Sequence, residues 1–207
     1  MARYTGPNCR LCRRSGDKLF LKGAKCFNNC TFDKRSTPPG PKPTRRRRTS
    51  ERGEQLRDKQ RARYIYGILE RQFRRTFGLA ERAGGVTGDN LMVILERRID
   101  NVVYRLGFAD SRSQARQLVR HGHLRLNNHT DDIPSSLVKE GDTISFNESS
   151  KKTEYYKGLL ESIKSKAVPN WLSLERETLT GKVLSLPTPD EAEAKFSGKT
   201  IVEYYSR

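Results

Sequence analysis

Residues 33–55 contain no Ala, Val, Ile, Leu, Met, Phe, Trp, Tyr or Cys. A stretch with nothing to bury cannot offset its ordering entropy by folding alone. It therefore separates a small amino-terminal piece from whatever core the rest of the chain builds. Within it, Pro38-Pro39-Gly40-Pro41 and Pro43 stiffen the backbone toward polyproline geometry, and Arg45, Arg46, Arg47 and Arg48 follow. Stiff prolines beside four adjacent arginines suit a segment that is disordered when free and ordered against phosphates.

The charge is as uneven as the hydrophobicity. The 207 residues carry a formal net charge of +17, from 41 Lys+Arg against 24 Asp+Glu. Residues 1–75 hold 22 basic and 6 acidic residues, a net of +16, and residues 76–207 hold 19 and 18, a net of +1. Within the second part, residues 94–126 carry 7 basic and 3 acidic, whereas 127–207 carry 11 and 13. The chain reads as a basic arm, a moderately basic module and a near-neutral tail. Such an excess calls for a polyanionic partner, nucleic acid or anionic membrane. No apolar run approaches the roughly 18 residues of a spanning helix, which disfavours the membrane. Met1-Ala2-Arg3-Tyr4 lacks the layout of a secretory signal, so a cytoplasmic location is expected.

All four cysteines fall within the first 30 residues, as Cys9-x2-Cys12, thirteen residues, then Cys26-x3-Cys30. Two short pairs across a loop are what tetrahedral thiolate coordination needs, each pair supplying two sulfurs from one tight turn. Structural zinc is the leading reading. An iron–sulfur cluster is the alternative, and free or disulfide-linked thiols remain open. Arg10, Arg13, Arg14 and Lys25 would favour the thiolates electrostatically. Four protein ligands leave no open position, so a zinc here would be structural.

The spacing predicts a helical stretch from Glu51 to Phe77, capped by Ser50 and divided at Gly67. Ile65, Ile68, Leu69, Phe73 and Phe77 make its apolar face, with Arg57, Arg61, Arg71, Arg74 and Arg75 largely elsewhere. Of these, Arg57, Arg61, Arg71 and Arg74 are candidate RNA-binding residues, together with Lys59 and Arg63, Arg13 and Arg14, and Arg45, Arg46, Arg47 and Arg48. A second helical run is expected from Thr87 to Leu106. Ser111 with Gln114 forms a capping box for the next helix, which Gly122 ends. Strands follow at His123–Leu126 and Thr143–Phe146, joined through a turn at Asn127-Asn128. One more helix is expected over 151–166, and the remainder is broken by Pro169, Pro187 and Pro189. The fold class is therefore α+β.

Arg112, Arg116 and Arg120 are spaced i, i+4, i+8 and form one stripe. Arg98 and Arg105, seven apart, form a second, and His121, His123 and Arg125 continue the positive surface. Arginine is planar and multidentate, which suits phosphate and bent RNA. The bland alternative is a solvated helix face. No nucleophile–base pair, Gly-rich phosphate loop or paired carboxylates stand on a credible scaffold, so an RNA-modifying enzyme is the lesser reading. A zinc-dependent DNA-binding regulator is another.

MARYTGPNCRLCRR at residues 1–14, Gln55-Leu56-Arg57, Lys59-Gln60, Tyr66-Gly67 and Gln72-Phe73-Arg74 form a recognisable series. The densest portion is LERRIDNVVYRLGFADSRSQARQLVRHGH at 95–123, and Glu203-Tyr204-Tyr205-Ser206-Arg207 closes it. Over essentially its full length the chain resembles the family of bacterial small-subunit ribosomal protein four, in its zinc-containing variant. The resemblance implies a primary binder of small-subunit ribosomal RNA that nucleates assembly of the subunit body. It implies no catalysis and no small-molecule substrate. Ribosomal protein five is the implied neighbour, with proteins five and twelve sharing an effect on decoding accuracy, and some members repress their own operon. Three regions follow: a zinc-bound arm at 1–50; a helical domain at 51–93, completed by 168–207; and an inserted α+β RNA-binding module with its following helix at 94–167. The chain departs from the family at Pro41-Lys42-Pro43-Thr44, and at Asn127-Asn128 with the acidic Thr130-Asp131-Asp132 after it.

Overall fold

The computed structural model describes residues 3–41, 48–192 and 195–206. Arg45, Arg46 and Arg47 lie outside the described residues. Along the chain run α1 (Asn8–Ser15), α2 (Ala24–Asn28), α3 (Thr31–Lys34), α4 (Glu51–Ile65), α5 (Glu70–Arg82) and α6 (Thr87–Glu96). Then come α7 (Ile99–Arg105), α8 (Arg112–Arg120), β1 (Leu124–Leu126), β2 (His129–Thr130), β3 (Thr143–Phe146), α9 (Glu148–Lys151) and α10 (Glu154–Ser162). The hairpin β4 (Leu172–Glu175) and β5 (Thr180–Val183) precedes α11 (Gly198–Tyr205). The architecture is mixed, helices with one antiparallel sheet. The chain divides into two units, Met1–Met92 with Glu193–Arg207, and Val93–Ala192.

In the first unit the Ser50 hydroxyl accepts the Gly53 N–H at 3.2 Å and starts α4. Gly67, at φ +62, ends the stretch in a left-handed conformation that favours glycine. Gln55, Lys59, Ala62 and Ile65 form the buried face of α4, and Phe73, Thr76, Phe77 and Ala80 that of α5. The terminal helix α11 completes this unit. Tyr205 sets its ring 4.5 Å from Phe77 and 6.4 Å from Phe73. Gly88 and Gly198 meet so closely that a Cβ on Gly88 would lie 2.9 Å from the Gly198 carbonyl carbon.

The second unit sets helices α7–α10 and a five-stranded sheet around a dense core. Ile99, Val102, Val103 and Leu106 of the α7 segment pack with Ala115 and Val119 of α8, Leu124 and Ile144 of the sheet, and Trp171. The strand order is β2-β1-β3-β5-β4. Asn127 and Asn128, at φ +49 and +67, turn β1 into β2 so that Leu126 faces His129. This two-residue, left-handed turn matches the twist of the strands it joins.

Two expectations are corrected. The helix from Thr87 does not run on to Leu106, because Arg98 adopts extended geometry (φ −65, ψ 135). Its neighbours bond to the 134–138 loop instead: Ile99 N–H donates to Ser136 and Val138 N–H to Arg97. Residues 168–192 belong to the second unit, not to the helical domain. β5 pairs with β3, Ile144 facing Gly181, and β4 pairs with β5. Gly181 resembles a strand breaker in sequence, yet a Cβ there would stand 2.4 Å from Leu106 Cδ1, so the sheet needs a glycine to lie on the core.

Candidate nucleic-acid interface

At the amino end, Cys12, Cys26 and Cys30 are buried, Cys9 is half-buried, and no disulfide joins them. The Cys12 thiol is pushed up by burial, opposed by the backbone of Leu19, and raised further by Cys26, Cys9 and Cys30. The Lys22 N–H donates to Cys26 Sγ at 3.3 Å. Among the described residues no three His, Cys, Asp or Glu side chains stand in a group that would hold a metal ion.

The cations sort into two kinds, and the sorting follows the carboxylates. Arg98 and Arg116 are buried at 2% and 7% exposure. Arg98 donates Nε and Nη2 to the two oxygens of Asp100 at 3.1 and 2.8 Å, and Arg116 Nη1 donates to the same carboxylate at 3.0 Å. Their expected place on an RNA-facing stripe is corrected, since buried arginine is tolerated where a carboxylate pairs it. Arg105 likewise forks onto the fully buried Glu96 at 2.9 and 2.8 Å. Asn101 Nδ2 donates to the same carboxylate at 2.7 Å, and Asn101 Oδ1 accepts from Arg112 Nε at 2.8 Å. The Arg112 guanidinium lies 4.5 Å from the Tyr104 ring centroid.

In the first unit several candidates also turn inward. Arg13 donates to the Thr37 and Pro38 carbonyls at 2.7 and 3.4 Å, tying the Pro-rich segment to α1. Arg61 binds the Ser15 carbonyl, Asp17 and Asp58. Lys59 is buried and pairs with Glu70 at 2.8 Å, and Arg63 reaches the other Glu70 oxygen at 2.9 Å. Burial alone would raise the Glu70 carboxyl, but hydrogen bonds from Lys59 and Tyr205, with the Lys59 and Arg63 charges, hold it below its ordinary value.

The outward set is different. Arg14, Arg48, Arg57, Arg71 and Arg74 are exposed. Arg71, Arg74, Arg75 and Arg82 line one groove of about 770 Å³ along α5, with Glu70, Gly78 and Leu79. Sequence spacing did not single out Arg82 or place Arg75 in the site. Their offsets from Arg71, four and eleven residues, were the available signal. In the second unit Arg120 and His121 are exposed, with Arg120 paired to Asp132 at 2.6 Å. His123 and Arg125 are half-buried, and His123 Nδ1 lies 2.9 Å from Ser150 Oγ.

The helix pair followed by short strands matches a family model, the S4 domain, over residues 97–144. Residues 3–96 match the model of the ribosomal protein S4/S9 N-terminal domain. The chain is 60% identical to small ribosomal subunit protein uS4 of Dehalococcoides mccartyi over 207 residues, the whole of both chains. It is 51% identical over 208 residues to uS4 of Halothermothrix orenii and 52% to uS4A of Symbiobacterium thermophilum, again the whole of each. The chain belongs to the uS4 family of small ribosomal subunit proteins. The amino-terminal model covers the cysteines and α1–α6, and the S4 domain covers the helix pair with β1, β2 and part of β3. Among the described residues no helix is long and apolar enough to cross a membrane.

Proposed function

We propose that this protein is a non-catalytic, primary binder of small-subunit ribosomal RNA that nucleates assembly of the subunit body. The observation that supports this most is the α5 face. Arg71, Arg74, Arg75 and Arg82 line it with one carboxylate, Glu70, which Lys59 and Arg63 already engage. Guanidinia without nearby carboxylates keep their donors free for phosphate oxygens, which their planar fork matches. Arg14, Arg48, Arg57, Arg120, His121, His123 and Arg125 extend the proposed contact set, with Arg45, Arg46 and Arg47 beside them in sequence. The work is done in the cytoplasm, on the ribosome. Ribosomal protein five is the proposed protein neighbour, and an influence on decoding accuracy follows from the family resemblance.

The cysteines suit a structural zinc held by Cys9, Cys12, Cys26 and Cys30. Support comes from the donor chemistry: four unbridged thiols in two short pairs along the chain, three of them buried, with a backbone N–H on the Cys26 sulfur. Zinc would fix the turns of α1 and α2 and do no chemistry on a substrate. Cys9→Ser or Cys26→Ser should release zinc and loosen residues 1–32 while residues 94–146 stay folded. Unchanged metal content in both variants would refute the site, and visible absorbance with bound iron would assign a cluster instead.

The test of function is competition at physiological salt between small-subunit ribosomal RNA fragments and duplex DNA. Preference for the ribosomal fragments is expected. Preference for DNA, or any base modification found by mass analysis of the incubated RNA, would overturn the reading.

A further inference from the structure

Phe27 is the most exposed large apolar side chain among the described residues, at 69%. It sits on α2, directly after Cys26, and its ring lies 5.0 Å from that of Phe20 with 30° between the planes. Phe20 is itself held in place. Its backbone is in the left-handed region, at φ +51. Lys195 Nζ lies 4.2 Å from the centroid of its ring and donates to the Lys18 carbonyl. Lys18 Nζ lies 5.8 Å from that centroid and is tethered to Asp33 at 2.7 Å.

A single exposed apolar residue needs no explanation. Phe27 is a different case, being the outer member of a ring pair whose inner member is fixed by cations. Core formation would have buried it, and Leu19 nearby is 2% exposed. Its surroundings decide what it would meet. Residues 1–41 carry nine Lys and Arg against two Asp. An apolar partner in that field must also be an anion. A nucleotide meets both demands, with a π face on the base and a phosphate beside it.

We propose that Phe27 is a stacking platform for an unpaired RNA base, with Lys22 and Lys25 taking the adjoining phosphates. Both lysines are exposed. The inference rests on the RNA-binding reading and adds a single-stranded element to its substrate, because a base within a helix has no free face to offer.

The test uses the full-length chain and small-subunit ribosomal RNA fragments containing single-stranded loops. Phe27→Ala should weaken binding by roughly 5- to 150-fold, the size of one base–aromatic stack. The dependence on salt should stay as in the unaltered protein, because no charge is lost. Phe27→Tyr should restore affinity. In Phe27→Trp, RNA should quench the new indole emission, read as the difference from the unaltered chain, whose single Trp171 is buried. Full affinity in Phe27→Ala, beside steep salt-dependent binding by the unaltered chain, would overturn this proposal and leave the RNA-binding reading standing. So would unquenched emission from the indole of the Phe27→Trp variant in a complex that forms normally. Failure of the unaltered chain to bind the RNA would remove both.

Discussion

Helices α5 and α8 are both rich in arginine, and they use it in opposite ways. On α5, Arg71, Arg74, Arg75 and Arg82 line an open groove. On α8, Arg116 is buried against Asp100, Arg112 is held by Asn101 and the Tyr104 ring, and Arg120 meets Asp132. Helical spacing is similar in the two, so spacing does not set the role. What differs is the supply of acceptors. Asp100, Asn101 and Glu96 bring partners to the inner side of the α7–α8 pair, whereas the α5 groove offers Glu70 alone, and Lys59 and Arg63 occupy it. An arginine buried beside a carboxylate shapes the protein, and one that stays exposed is left for the partner.

The contrast breaks most visibly at Asp100. In Asp100→Ala the Arg98 and Arg116 guanidinia would remain buried without their anion, and the second unit should lose about 3–5 kcal/mol. Denaturant unfolding followed by Trp171 emission measures this, and a midpoint close to that of the unaltered chain would deny the carboxylate its organising role. Ser111→Ala probes the same helix more gently. The Ser111 hydroxyl accepts the Gln114 N–H at 3.3 Å, so about 1 kcal/mol should be lost in the same assay.

Acid tests the other side of the comparison. The Glu70 carboxyl is held below its usual range in the fold, so its contribution is present above the unfolded carboxylate value, about 4.3. That contribution is lost as pH falls through the folded value. Because Glu70 is 44% exposed at its side chain, the effect should be modest. Thermal unfolding of Glu70→Gln should show less acid sensitivity than the unaltered chain between about pH 6 and roughly pH 3, and identical profiles would count against the Lys59–Glu70 link. Smallest of all should be the stability change on replacing Arg71, Arg74 and Arg75 together by Ala, within about 0.5 kcal/mol for each surface position.

Much of this was legible in the sequence where chemistry is local. Ser50 and Ser111 as caps, Gly67 and Gly122 as stops, and Asn127-Asn128 as a turn all follow from backbone demands that one residue can meet. Helix α8 and the β1 and β3 strands were equally readable from periodicity, whereas the break at Arg98 that makes α7 a separate helix was not. Pairing between distant residues was not. β4 and β5 are four residues each, flanked by prolines, and β3, the strand that β5 pairs with, lies some thirty residues earlier. Gly181 hid the second of them, because its reason is the Leu106 side chain pressed against it. The same limit explains the arginines. Nothing in the interval from Asp100 to Arg116 says that a carboxylate and a guanidinium sixteen residues apart will be buried together.

The central claim is that the exposed arginines hold the RNA while the buried, carboxylate-paired ones hold the fold. Its most direct test is the slope of log K against log salt for a small-subunit ribosomal RNA fragment, measured on the unaltered chain and on the Arg71→Ala, Arg74→Ala, Arg75→Ala triple variant. A steep slope is predicted for the first, and a shallower one for the second by about 0.7–0.9 per arginine removed. Equal slopes in the two proteins would contradict the account.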